Sequence, residues 1–145
     1  MPLQLMSPGR ALQGGAWSEM VILSCQVMKD THGGLKWWAC WGPAFNGLHQ
    51  MLGYRTNARA NTNTTGVFAE WQLGYFFILP PMPVRTSWCL AKKQEQPNDR
   101  QAVIMGVVGP GGVLGGWNDH FWGQGPVGPD LRGNNITAYW RIVYQ

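Results

Sequence analysis

Histidine and cysteine are the residue types of this chain that could carry nucleophilic or acid–base chemistry. Their spacing favours neither kind of chemistry. Asp119 and His120 are adjacent, and neighbouring side chains of an extended segment point to opposite sides, which argues against an acid–base pair. His32 precedes two glycines in a predicted hairpin turn, and His49 lies in a predicted helical turn. No HExxH, GxSxG, P-loop or GxGxxG pattern occurs. We therefore predict that the protein is not an enzyme.

The three cysteines, Cys25, Cys40 and Cys89, are odd in number and form no CxxC motif, so the sequence contains neither a closed disulfide set nor a zinc knuckle. Each lies in a strand-like run, where a free cysteine behaves as a small buried hydrophobic residue. Ligation of a metal by His120 with Asp119 is an alternative that we disfavour. We predict no metal and no cofactor, and synthesis in a reducing cytoplasm.

A glycine-rich segment, residues 106–135, holds ten of the chain's 20 glycines together with several large aromatic residues. Glycine lets the backbone turn sharply or pass close to another chain, but ordering it costs entropy. The aromatic residues offset that cost only where they are buried. They could cap the open end of the fold, or they could contact a ligand or a second protein.

We favour contact between protein chains, because aromatic-rich surfaces with few ions are those that proteins bury against each other. The candidate interface or ligand-contact residues are Trp117, His120, Phe121, Trp122, Trp37 and Trp38.

The elements that must position these residues have the periodicity of strands. Strict alternation predicts strands at 67–75 and 136–144, which direct Trp71 and Trp140 inward. Less regular strands are predicted at 19–29, 35–41, 84–93 and 101–108, with two more near 75–79 and 113–117 and one possible helical turn at 43–52. The predicted fold is therefore all-β: a β-sandwich, a jelly roll or a small barrel of six to eight strands with long Gly/Asn-rich loops.

The connections complete the predicted organisation. Residues 55–66, rich in Asn and Thr, predict an exposed loop, and the three prolines of 79–84 predict a rigid crossover between two sheets. Residues 1–18 have too few periodic apolar positions to fold alone. We expect an extended N-terminal arm at 1–18 and a single β-domain at 19–145.

Composition excludes several classes of protein. The chain has 145 residues, of which 45% are hydrophobic, as expected for one globular domain. Its net charge of +4 comes from scattered basic residues, without the basic cluster that nucleic-acid binding needs. No apolar run approaches the ~18 residues that span a bilayer, and the N-terminus lacks the pattern of an export signal. We expect neither nucleic-acid binding nor membrane insertion.

Only 12% of the residues are charged, whereas nine are tryptophan. In this composition the chain resembles small virion structural proteins of tailed bacteriophages, such as head-decoration proteins and tail-fibre tips. The resemblance covers the whole chain and no residue in particular. It implies an all-β protein without a signal peptide that assembles into oligomers, with a trimer favoured, and that ends up in the virion.

The leading hypothesis is a non-enzymatic structural protein of a virus particle, a capsid-decoration or tail-fibre component that binds itself and other virion proteins. An alternative is a carbohydrate-binding module, in which Trp117, Trp122 and Trp37 or Trp38 stack on the sugar rings of a host-surface glycan. A third hypothesis is a secreted lectin-like domain.

Overall fold

A computed structural model describes residues 19–21, 26–74, 78–121 and 123–145. The strands are β1 (Glu19–Val21), β2 (Thr31–His32), β3 (Leu35–Lys36), β4 (Gln50–Tyr54), β5 (Ala102–Val108) and β6 (Ala138–Tyr144). The helices are α1 (Trp37–Trp41), α2 (Thr64–Leu73) and α3 (Val84–Glu95), with short 3₁₀ turns at Gly42–Ala44, Pro110–Gly112 and Gly133–Asn135. Among these residues, no helix has the length and apolar character needed to cross a membrane.

Four strands form the central sheet in the order β1-β4-β5-β6. β1 runs parallel to β4, whereas β4 and β5, and β5 and β6, are antiparallel. Ile104 lies opposite Leu52 on one side and opposite Ile142 on the other. β5 is buried from Ala102 to Val107 because it has a strand on each side and packed side chains on both faces. Its near-continuous apolar sequence is the pattern expected for such a strand.

The first face of the sheet packs against α2 and α3. Alternate strand residues supply its core, because side chains at positions two apart share a face. The members from the strands are Leu52, Tyr54, Ala102, Ile104 and Trp140, and those from the helices are Val67, Phe68, Val84, Trp88 and Ala91. The Trp88 ring, fully buried, lies 5.4 Å from that of Tyr54 and 5.3 Å from that of Phe68.

The second face packs against the chain between β1 and β4. The core there comprises Met51, Val103, Met105 and Val107 from the strands, with Met28, Phe45 and Leu48 from the connecting segment. The molecule therefore has three layers: a helical layer, the sheet, and a layer made of α1, a hairpin and loops. The hairpin joins β2 to β3 through Gly33 and Gly34, whose φ angles of +54° and +85° favour glycine. It confirms the hairpin turn predicted after His32.

The all-β prediction is wrong: the fold is mixed α/β, with neither a sandwich nor a barrel. The predicted strand at 67–75 is α2 as far as Leu73, and the predicted strand at 84–93 belongs to α3. The buried residues of α3 recur at helical spacing: Val84, Ser87, Trp88, Ala91 and Lys92. In such short windows apolar residues match periods of two and of 3.6 at once, and aromatic content wrongly favoured the strand.

Other boundaries shift as well. Of the predicted strand at 35–41, only the first two residues are extended, and the remainder is α1. The predicted helical turn at 43–52 contains the start of β4, and 113–117 contributes only an isolated bridge between Val108 and Leu114. The crossover at 79–84 joins two helices instead of two sheets.

The strands predicted at 101–108 and 136–144 are confirmed as β5 and β6, and Trp140 is buried as expected. Trp71 is half-buried on α2, where its indole N–H donates to Gln94 Oε1 at 3.2 Å. The predicted arm at 1–18, residues 22–25 of the predicted first strand, and 75–77 lie outside the described residues.

Candidate functional site

The glycine-rich segment lies at one end of the central sheet. It begins within β5 and ends just before β6, and the facing residues Val108 and Ala138 are paired across these two strands. The same end of the sheet contains the beginning of β4, because Gln50 pairs with Gly106. His49, the residue before β4, therefore faces the segment.

His49 bridges two carboxylates of the glycine-rich segment. Its Nδ1 lies 2.5 Å from Asp119 Oδ2, and its Nε2 lies 2.9 Å from Asp130 Oδ1. The His49 side chain is only 3% exposed. We call His49, Asp119 and Asp130 the His49 bridge; it joins residues 70 and 81 positions apart in the sequence.

The bridge favours a protonated imidazole. Burial opposes the charge, but the hydrogen bonds and negative charges of Asp119 and Asp130 outweigh it and raise the pKa of His49 above its ordinary 6.5. Burial also acts on Asp130, yet His49 and Arg132 together hold the pKa of its carboxyl below 3.8. Arg132 Nη2 lies 3.1 Å from Asp130 Oδ2. An imidazolium that donates from both nitrogens fits this geometry.

This arrangement holds the chain more readily than it carries out a reaction. While both nitrogens donate to carboxylates, neither can accept a proton from a substrate. The carboxylates lie at different nitrogens of the ring, so the three side chains do not converge on one ion. Within the described ranges, no group of three or more His, Cys, Asp or Glu side chains could hold a metal ion. The bridge therefore fastens the segment to β4.

Further hydrogen bonds hold Asp119 and its neighbours. Asp119 Oδ1 accepts from the Gly128 N–H at 2.7 Å, and its backbone oxygen accepts from the Val84 N–H at 2.8 Å, at the first residue of α3. Gln50 Nε2 donates to the backbone oxygen of Gly116. The segment is thus tied to β4, to α3 and to itself.

Trp117 packs at the edge of the core that lies between the sheet and helices α2 and α3. Its ring packs edge-on against Trp140, with centroids 5.1 Å apart, and the Arg85 guanidinium lies 4.2 Å above it. Trp140 in turn donates from Nε1 to the Gly115 oxygen at 3.0 Å. Because Arg85 covers one face of Trp117, this ring has the structural role of a cap.

Among the described aromatic residues of the segment, Phe121 is the one exposed to solvent. Its side chain is 46% exposed. Three aliphatic residues of the segment are also exposed, and with Phe121 they form what we call the exposed apolar group: Val113, Leu114, Phe121 and Val127. His120 is half-buried, with Nδ1 3.3 Å from the Pro126 oxygen. Trp122 lies outside the described residues.

Trp37 and Trp38 lie apart from the other candidates, on α1 and on the opposite face of the sheet from Trp117. Trp37 is half-buried and packs edge-on against Tyr139 at 6.4 Å, with the Arg141 guanidinium 5.5 Å from its ring. Trp38 is 46% exposed. The fold therefore does not bring together the five candidate residues that the structure describes.

Sequence reasoning singled out Asp119 but missed its partners. No local sequence pattern links His49 to Asp119 or Asp130, because the segments that form α2 and α3 lie between them in the sequence. Cys40 and Cys89 are half-buried free thiols on α1 and α3, not strand residues as predicted, and Cys25 is not among the described residues.

Residues 16–144 match a family model described as Domain of unknown function (DUF6345). No curated protein and no solved structure matches the chain. Because the matched region spans most of the sequence and includes every described element, the chain belongs to the DUF6345 family, a domain of unknown function.

Proposed function

We propose that this domain is a non-enzymatic assembly protein that pairs with a second copy of itself through the outer edge of β6. The observation that carries the proposal is that β6 is a seven-residue strand at the edge of the sheet. It pairs with β5 along its whole length, from Tyr144 opposite Ala102 to Ala138 opposite Val108. No described strand lies on its other side.

The sequence of β6, AYWRIVY, has few of the usual devices that prevent edge pairing, and its single inward-pointing charge, Arg141, is one of them. It contains no proline, and its residues are mostly aromatic or β-branched. Its one charged residue, Arg141, is only 10% exposed and is bound to Asp30 and to the Met28 oxygen. An edge of this kind offers unpaired backbone groups to another strand.

A second copy of the chain is the occupant that this edge fits best. Antiparallel pairing of β6 with itself about a two-fold axis uses one surface twice, which is the commonest symmetry of oligomers. It favours a dimer over the trimer expected from the sequence.

The virion setting is a proposal that rests on composition. Low charge and many tryptophans support a surface that is permanently paired, and we propose a structural component of a virus particle on that basis. The all-β part of the resemblance no longer supports it. Among the described tryptophans proposed to stack on sugars, the exposed Trp38 supports a carbohydrate-binding role, whereas Arg85 covers a face of Trp117.

Sedimentation velocity and native mass spectrometry of wild type, Ala138→Lys and Ala69→Lys test the proposal. Both alanines are exposed, one on β6 and one on α2, so the two variants carry the same substitution at matched sites. We expect a wild-type dimer, at least a tenfold weaker dimer for Ala138→Lys, and an unchanged dimer for Ala69→Lys. A wild type that stays monomeric up to about 100 µM would overturn the proposal. So would equal association of all three proteins.

A further inference from the structure

A polar cleft lies at the end of the sheet opposite the His49 bridge. Its lining residues are Lys29, Asp30, Thr31, Arg55, Thr56 and Gln101. Arg55 follows the last residue of β4, and Gln101 precedes the first residue of β5. The cleft has a volume of about 460 Å³ and is broadly open to solvent.

Each oxygen of the carboxylate in the cleft is already paired with a guanidinium group. Asp30 Oδ1 lies 2.5 Å from Arg141 Nη1, and Asp30 Oδ2 lies 2.6 Å from Arg55 Nη2. These contacts, the hydrogen bond from Arg141 first, hold the pKa of Asp30 below 3.8 despite some burial. Two cations therefore offset the negative charge of Asp30, which would otherwise repel an anion.

The other acceptors are used in the same way. Gln101 Oε1 accepts from Arg55 Nη1 at 3.2 Å, and Thr56 Oγ1 accepts from the Gln101 N–H at 2.8 Å. The side-chain donors of Lys29 and Thr31, and Nε2 of Gln101, have no hydrogen-bond partner within the part of the chain that the structure describes. The cleft thus retains mainly free donors.

The charges around the cleft also favour an anionic ligand. Lys29, Arg55 and Arg141 are three cations beside the single carboxylate of Asp30. Asp30 and Gln101 hold the Arg55 guanidinium from two sides, so little side-chain entropy remains to be lost when a ligand binds.

We propose that the polar cleft binds a small oxyanion, a phosphate or carboxylate group, through Lys29, Arg55 and the side-chain amide of Gln101. Thr31 supplies a neutral donor from its hydroxyl. Asp30 is a positioning residue, which orients Arg55 and links it to the buried Arg141. Arginine and lysine together suit such groups because they combine directional donors with a mobile point charge.

The experiment is an NMR titration of the full chain, following the Gln101 side-chain amide and the Lys29 backbone amide, with inorganic phosphate in one arm and acetate in the other. Thermal unfolding of each variant confirms folding. The variants are Lys29→Gln, Thr31→Val and the control Lys93→Gln, which removes the same charge from an exposed position on α3. Both test residues are exposed, so neither change disturbs the core.

We expect saturable shifts with at least one anion, a loss of affinity of about tenfold in Lys29→Gln, a smaller loss in Thr31→Val, and no loss in Lys93→Gln. Binding of phosphate alone identifies a phosphate group, and binding of acetate alone identifies a carboxylate. The absence of shifts at about 10 mM of either anion would overturn the proposal. Equal losses in Lys29→Gln and Lys93→Gln would also overturn it, because they indicate attraction by net charge alone.

Discussion

At the scale of single residues, the His49 bridge makes stability depend on pH in a defined direction. The pKa of His49 is raised above 6.5 in the folded state, so its contribution is complete below 6.5 and is lost as pH rises through the folded value. The pKa of Asp130 is lowered below 3.8, so its contribution is present above 3.8 and is lost as pH falls through the folded value. The bridge is strongest between these limits.

We therefore expect His49→Gln to lower the free energy of unfolding by about 3 to 5 kcal/mol near pH 5, because it leaves Asp119 buried without its cationic partner. The difference from wild type should shrink as pH rises towards about pH 9. Urea unfolding of both proteins across this range measures it. A difference that stays constant with pH would show that the wild-type imidazole is neutral.

The Trp140 ring leaves no room for a side chain at position 106, so this position requires glycine. A Cβ on Gly106 would overlap the Trp140 indole, which lies directly against it. We expect Gly106→Ala to cost about 1 to 3 kcal/mol and Trp140→Ala about 3 to 5 kcal/mol. In the double variant, the Gly106 substitution should cost little, because the ring that it displaces is absent. Denaturant unfolding of the four proteins completes the cycle, and strictly additive losses would rule out this contact.

At the scale of elements, the beginning of α3 holds the glycine-rich segment. Arg85 Nε donates to the Trp117 oxygen at 3.1 Å while its guanidinium covers the Trp117 ring. We expect Arg85→Gln to cost about 1 to 2 kcal/mol and to speed hydrogen exchange at residues 115–119. The matched control is Arg100→Gln, since the Arg100 side chain pairs with the exposed Asp99, which is outside the glycine-rich segment. Equal exchange in both variants would contradict the role of Arg85.

Sequence periodicity correctly predicted two strands of the central sheet, β5 and β6. It wrongly predicted strands where the structure has the helices α2 and α3. β5 was predicted from its nearly continuous apolar sequence, and β6 was predicted from the alternation of its apolar residues. α2 was misassigned because Val67, Ala69, Trp71 and Leu73 alternate, although the helix buries Val67 and Phe68 together. The site was predictable only in part, since Asp119 reaches His49 through a tertiary contact that no local spacing encodes.

At the scale of the whole molecule, the assembly proposal predicts a melting temperature that depends on protein concentration. Dissociation accompanies unfolding of a dimer, so dilution should lower the melting temperature of wild type by mass action. At each concentration Ala138→Lys should melt at a lower temperature than wild type, because its weaker dimer adds less stability. Scanning calorimetry over a hundredfold dilution measures both. A wild-type melting temperature that does not change on dilution would contradict dimer formation.

The contact between Arg141 and Asp30 has a consequence for synthesis, because 111 positions separate the two residues. At about 5 to 20 residues per second, Asp30 leaves the ribosome roughly 6 to 22 seconds before Arg141. During that interval Arg55 is available to pair with Asp30 but Arg141 is not, and β5 is the open edge of the nascent sheet. A chain arrested before residue 138 would expose the most apolar strand of the protein, and such a chain is where we expect chaperones to bind.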